Sequence, residues 1–460
     1  MRETVRDLSE PQMKELMKLI QKSGLALQGD DEKCPGWFDG ETINEIEFCS
    51  EFLECHPIRS YHDRFFDFDG QVDEEKLQAE ILQIIEPYVR KGVARTVDRL
   101  TDALRIKSYT GEPEIQMDRI HVANGTLFRD GHFSSKKEFC INRLPVDYNP
   151  DAPPPKNWIG FLNDLLYEED RKAFQEFLGY VLLPTNKAQA MMLLIGSGGE
   201  GKSRVGVVLQ SILGKNMNFG SLVKLASDRF YRADQEGILL LLDDDMKTSA
   251  LSDTGMLKAI ITSETMFDLE RKGKQSFQGR LNVRIIALSN GSLSALYDKS
   301  DAFYRRQLVI RVKEKPRDRV DDRDLAEKMI SEKEGIFLWC LEGLRRLIRQ
   351  DYRFSVSDRM KANLEEARKS DDNIIDFYES SGYMRIEENT SATTRQMYGA
   401  YLKWCSDNLE KPMSERTFSQ HLRRDQKKLG IQYVKNISIG ANKRVRGYRG
   451  VHVDVNTDAF

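Results

Sequence analysis

Apolar positions along the chain follow two rhythms. In its middle third they gather into short unbroken blocks: MMLLI at 191–195, ILLLLD at 238–243, VRIIALSN at 283–290 and QLVIRV at 307–312. A strand with one wet face alternates, whereas a strand covered on both faces reads as a continuous apolar run. Between these blocks the spacing turns helical, as in SRVGVVLQSIL at 203–213. Residues 186–352 are therefore expected to form a mostly parallel sheet flanked by helices. Elsewhere the helical rhythm dominates. It predicts helices from Gln12 to Ser23, near 73–90 with Leu77, Ile81, Ile84 and Ile85 on one face, and across 158–183. The stretch IHVANGTLF instead reads as strands, with Asn124-Gly125 as a hairpin signal.

Turn-forming residues divide this pattern. GEPEIQMD at 111–118 reads as a connector, and NPDAPPPKNW, with prolines at 150, 153, 154 and 155, as a linker. The expected units are an N-terminal accessory domain (1–105), a strand-rich connector with a helical collar (106–185), the parallel-sheet domain (186–352) and a tail (355–460). The fold class is multidomain α/β. In the tail, Ala392 to Asn408 carries Met397, Tyr401 and Trp404 on one helical side. Past Pro412 comes a second helix, SERTFSQHLRRDQKKLG, and then two strands joined by Gly440-Ala441-Asn442. Helix, turn, basic helix and basic hairpin is the plan of a winged helix-turn-helix.

Charge sharpens that reading. The chain's net charge is −3, yet residues 411–449 hold eleven Lys or Arg against Glu415 and Asp425, a local balance of +9. Such asymmetry directs the tail towards a polyanion. Arg416, Arg423, Arg424 and Lys427 on the second helix, and Lys443, Arg444 and Arg446 on the wing, are the expected contacts to double-stranded DNA.

Composition adds exclusions. No run approaches the ~20 apolar residues of a membrane span, so no membrane partner is expected. The polar start MRETVRDLSEPQMK lacks the apolar core of a secretory signal. Six cysteines without a disulfide rhythm suit a reducing cytoplasm. Cys34, Cys49, Cys55, His56 and His62 lack the paired spacing of a zinc site, and Asp67-x-Asp69 in RFFDFDG reads as a turn.

The chemistry centres on GSGGEGKS, Gly196 to Ser203, which fits G-x-x-x-x-G-K-[ST] between an apolar strand and a helix. Gly196, Gly198, Gly199 and Gly201 let the backbone curl its N–H groups around phosphate. Lys202 is expected on the β- and γ-phosphates of ATP, and Ser203 in the Mg²⁺ shell. The strand ILLLLDDD ends in three carboxylates. Asp243 is assigned to the metal and Asp244 to the attacking water, with a slip of one residue left open. Asn290, ending a third strand, can sense the γ-phosphate. Arg271, Lys272 and Lys274 sit in MFDLERKGKQSF, a candidate basic hairpin. Arg305 and Arg306, ahead of the last apolar strand, are candidate arginine fingers.

These motifs in this order resemble superfamily 3 helicases of the phage and plasmid primase–helicase branch. HVANGTLF with INRLPVDYNPDAPPPKNWIGFL, and SEKEGIFLWCLEGLRRLI, point to that branch over roughly residues 105–460. Size and layout are similar to the replication initiators of phage-inducible chromosomal islands. The resemblance implies an AAA+ P-loop motor working as a homo-hexamer on single-stranded DNA with 3′→5′ polarity. It also implies Lys272 and Lys274 in the channel and contacts with host replication proteins at an origin. An ATP-dependent helicase loader and an ATP-switched origin-binding protein are the rival readings.

Overall fold

The computed structural model describes residues 34–111, 113–246, 254–262, 265–290, 301–316, 322–370, 373–410, 412–426, 429–439 and 443–455. The helix expected from Gln12 to Ser23, the turn Gly440-Ala441-Asn442 and Lys427 lie outside them. Two units emerge, Met1–Pro113 and Glu114–Phe460. Their border falls within the GEPEIQMD segment, where turn residues interrupt both rhythms.

The first unit is a small α/β domain. Helix α1 (Glu45–Cys55) is capped by Asn44, whose side chain accepts the Ile46 and Glu47 N–H groups. Strands β1 (Arg59–Tyr61), β2 (Arg64–Asp67) and β3 (Gly70–Gln71) make an antiparallel sheet. Asp67 accepts the Asp69 N–H at 2.6 Å, so its carboxylate is committed to the turn between β2 and β3. Helix α2 (Glu74–Ile85) buries Leu77, Ile81 and Ile85 against Leu100 and Leu104 of α3 (Val93–Lys107). Cys49 lies in that core, where burial pushes its thiol up to about 11.

The second unit opens with strands β4 (Arg119–Val122), β5 (Gly125–Phe128), β6 (Phe133–Ser134) and β7 (Arg143–Leu144), ordered β6-β5-β4-β7. The expected hairpin is present, turning on Ala123 and Asn124, one residue earlier than the Asn-Gly pair. Asn124 then binds Tyr148 twice, donating to its carbonyl at 3.0 Å and accepting from its N–H at 2.9 Å. The proline run is no free linker. Gly335 faces Pro153 so closely that a Cβ would lie 2.4 Å from its carbonyl oxygen, and Asn149 donates to Glu334 at 2.9 Å.

Helices α4 (Lys156–Leu165) and α5 (Arg171–Tyr180) lead to the central layer. In chain order this runs β8 (Met191–Ile195), α6 (Ser203–Leu213), β9 (Met217–Phe219), α7 (Leu222–Ser227), α8 (Arg229–Ala233) and β10 (Leu240–Asp243). It continues with α9 (Gly255–Thr262), the hairpin β11 (Phe267–Leu269) and β12 (Phe277–Gly279), β13 (Arg284–Ser289), α10 (Asp301–Tyr304) and β14 (Gln307–Arg311). Five strands pair in the order β14-β8-β13-β10-β9, every pairing parallel. Met192 and Leu194 enter one apolar cluster, and Met191, Leu193 and Ile195 the cluster on the opposite face. Cover on both faces is why these strands are unbroken apolar runs.

After α11 (Leu325–Ile330), helix α12 (Lys333–Arg349) crosses α5 at two glycines. A Cβ on Gly179 would sit 2.4 Å from the Cys340 oxygen, and one on Gly343 2.2 Å from the Gln175 oxygen. Helix α13 (Asp358–Ser370) packs on the sheet, with Met360 in its core and Asn363 donating to the Val309 carbonyl at 3.3 Å. A separate hydrophobic cluster of the tail begins at Ile374. The tail comprises α14 (Asn373–Glu379), β15 (Met384–Thr393), α15 (Thr394–Asp407), α16 (Glu415–Asp425), β16 (Gln432–Ile439) and β17 (Lys443–Val453). Strand β15, absent from the sequence reading, completes an antiparallel sheet ordered β15-β17-β16. Met397, Tyr401 and Trp404 are buried as expected. Among the described residues no helix is long and apolar enough to cross a membrane.

Candidate nucleotide site and nucleic-acid surface

The loop joining β8 to α6 owes its shape to glycines. Gly198, Gly199 and Gly201 stand at φ +105°, +81° and +102°, in the left-handed region where a side chain would be strained. Lys202 caps α6, and Ser203 is the helix's first residue. The loop walls a cavity of about 310 Å³, lined by Gly199, Glu200, Gly201, Lys202, Ser203, Arg204, Asp244 and Asn290.

Parallel strand order explains how remote residues meet there. Strand β13 lies between β8 and β10, and all three point the same way, so their C-terminal ends open on one edge. Asn290 follows β13, and its Oδ1 accepts from Lys202 Nζ at 3.0 Å. Asp244 follows β10 and lines the cavity. Asp243 does not. Its Oδ2 accepts the Leu222 N–H at 2.8 Å at the start of α7, and it is only 6% exposed. Burial raises its pKa, partly countered by that N–H. Of the two registers left open by the sequence, this geometry brings Asp244 to the cavity and commits Asp243 to the start of α7.

Two residues of the cavity escaped the sequence reading. Glu200, 3% exposed, pairs with Lys202 at 2.7 Å and accepts the N–H groups of Ser197 and Gly198. Burial works to raise its pKa, but Lys202 and the loop N–H groups outweigh it and hold the carboxyl below the usual glutamate value. Arg204 donates to the Asp322 carbonyl at 2.9 Å. Both occupy variable positions of the motif or its flank, where spacing carries no information. An acid inside a phosphate-binding loop was the available signal.

The hairpin β11–β12 exists, but its basic residues divide. Arg271 is committed inside the fold, paired with Glu236 at 2.6 Å and lying over the Phe277 ring at 4.9 Å. Lys272 and Lys274 are exposed on either side of Gly273, which turns the tip at φ +74°. Arg305 is exposed before β14, the Arg306 carbonyl accepts the Met191 N–H, and neither lines the cavity of its own chain. In the tail, exposed Arg423 on α16 lies over the Tyr433 ring at 4.1 Å, and Arg446 is exposed on β17. Arg416 and Arg424 fall on α16 and Lys443 and Arg444 on β17, but their side chains lie outside the described residues.

Residues 194–306 match a family of unknown function (DUF5906), and residues 369–443 match a family described as Poxvirus D5 protein-like. A putative helicase of Acanthamoeba polyphaga mimivirus is 28% identical over 148 residues. That match covers 30% of this chain and 15% of the viral protein, so this chain spans only a small part of that relative's length. Among solved structures, one apo form of the NrS-1 C-terminal region aligns at 12% identity and TM-score 0.45, covering 87% of this chain and 98% of that one. A second aligns at 14% identity and TM-score 0.43, covering 87% and 96%. This mixed α/β chain is thus similar, over parts of its length, to Poxvirus D5-like proteins and to a putative viral helicase.

Proposed function

We propose that the chain is an ATP-driven DNA helicase that also acts as a replication initiator, with an AAA+ P-loop motor and a winged-helix tail. One observation carries the reading: Lys202, Ser203, Asp244 and Asn290, drawn from three separate strand ends, line one cavity beside a glycine-built anion cradle.

In this reading the loop N–H groups and Lys202 hold the ATP phosphates and offset the charge that develops on the transferred group. Ser203 and Asp244 supply the oxygen donors that suit Mg²⁺, whose charge further neutralises the phosphates. Asn290 orients the attacking water, and Asp243 braces the acidic strand against α7. Lys272 and Lys274 press on the translocating single strand. Arg305 and Arg306 reach a neighbouring subunit's nucleotide in a homo-hexameric ring moving 3′→5′. Arg423, Arg446 and their neighbours in the tail grip origin duplex, and host replication proteins join the assembly.

ATP hydrolysis by the purified chain tests the core of this. Lys202→Ala should lower turnover ~10²-fold or more while the melting curve stays near wild type. Near-normal turnover in that variant would remove the assignment.

A further inference from the structure

Glu200 sits where a bound phosphate's partners converge. Its Oε2 takes the Lys202 ammonium at 2.7 Å, while its Oε1 takes the Ser197 N–H and, at 2.8 Å, the Gly198 N–H. Backbone N–H groups of a glycine-rich loop together with a lysine are the donor set that phosphate oxygens use. Here a carboxylate of the loop itself takes them, and both members of the pair are nearly excluded from water at 3% and 6% exposure. Gly196 makes the arrangement possible. A Cβ there would lie 2.6 Å from Glu200 Oε1 and 2.7 Å from Lys202 Nζ. Among the described residues Glu200 is the one carboxylate paired with Lys202, and Asp244 lines the same cavity.

We propose that Glu200 is a built-in occupant of the phosphate seat, which a nucleotide must displace before Lys202 can engage it. The proposal rests on the ATP reading above and adds a regulatory step to it. Loading requires exchange of one anion for another, so the carboxylate sets how much nucleotide is needed to fill the site. A charged hydrogen bond that must be broken on binding lowers affinity by about an order of magnitude. The alternative, a strut that shapes the loop for nucleotide, predicts the reverse.

Titration calorimetry with ADP and Mg²⁺ on the full chain separates the two. Glu200→Gln keeps the side chain's shape but removes its charge, and should bind ADP about tenfold tighter than wild type. Glu200→Asp retains the charge on a shorter stem, which cannot span from Lys202 to the Ser197 N–H, and should give a smaller gain. Thermal melting guards against misfolding: the ADP-induced rise in Tm should be larger in both variants than in wild type. ADP affinity in Glu200→Gln equal to or weaker than wild type, with folding intact, would overturn the proposal alone. ADP bound equally by wild type and Lys202→Ala would overturn the nucleotide reading and this proposal with it.

Discussion

Lys202 is 6% exposed and meets two partners within 3.0 Å, whereas Arg423 is exposed, lying over the Tyr433 ring and bonded to the Tyr448 hydroxyl. The two residues typify the regions that hold them. Around the phosphate loop, Glu200 and Lys202 are buried and paired, and Asp244 and Asn290 from two other strand ends line the same small cavity, so each has a definite place in it. On the tail, an apolar core of Phe377, Tyr401, Trp404, Phe418 and Tyr448 carries basic residues outward on a helix and a hairpin. There charge is spread over a surface. Buried polar groups cost stability unless every one is satisfied, so a cluster of them marks chemistry. Exposed charges cost little, and their meaning rests on sign and number.

The contrast can be broken first inside the cavity. Asp244→Asn should reduce ATP hydrolysis ~10²-fold without loss of folding, because it removes the carboxylate proposed to hold Mg²⁺ beside the phosphates. Asp243→Asn should keep most activity, since an amide oxygen still accepts the Leu222 N–H, and its main effect should be a modest drop in Tm. Reversed rankings in a steady-state assay would put Asp243, and not Asp244, on the metal.

A smaller, graded effect is expected on the tail. Arg423→Glu should weaken duplex binding at low salt and reduce the slope of log affinity against log salt by about one for the lost contact, more if the new charge repels phosphate. ATP hydrolysis without DNA should not change. An unchanged slope in a fluorescence-anisotropy salt titration would make Arg423 a structural partner of Tyr433 and Tyr448 and no more.

The same contrast explains what the sequence made legible. Strand blocks such as MMLLI and the spacing of Gly196, Gly201, Lys202 and Ser203 are local patterns, and the parallel sheet and loop follow from them. The Asp243/Asp244 register is not local, because Leu240 to Leu242 are all buried and give no alternation to show which face meets the loop. Arg271 read as a free basic residue because its partner, Glu236, lies 35 positions away. Strand β15 was missed for a different reason: MRIEENTSAT is mostly polar, and pairing with β17 is what makes it a strand. The proline run misled in the opposite direction, since composition signals a break while Gly335 gives the run a surface to pack on.

Strand separation on a forked DNA duplex tests the central claim most directly. Purified wild-type chain with ATP and Mg²⁺ should release the strand with no added helicase, and Lys202→Ala should release none above the no-ATP control. ATP hydrolysis with no strand release on either tail polarity would contradict the helicase reading and favour a loader that serves another motor.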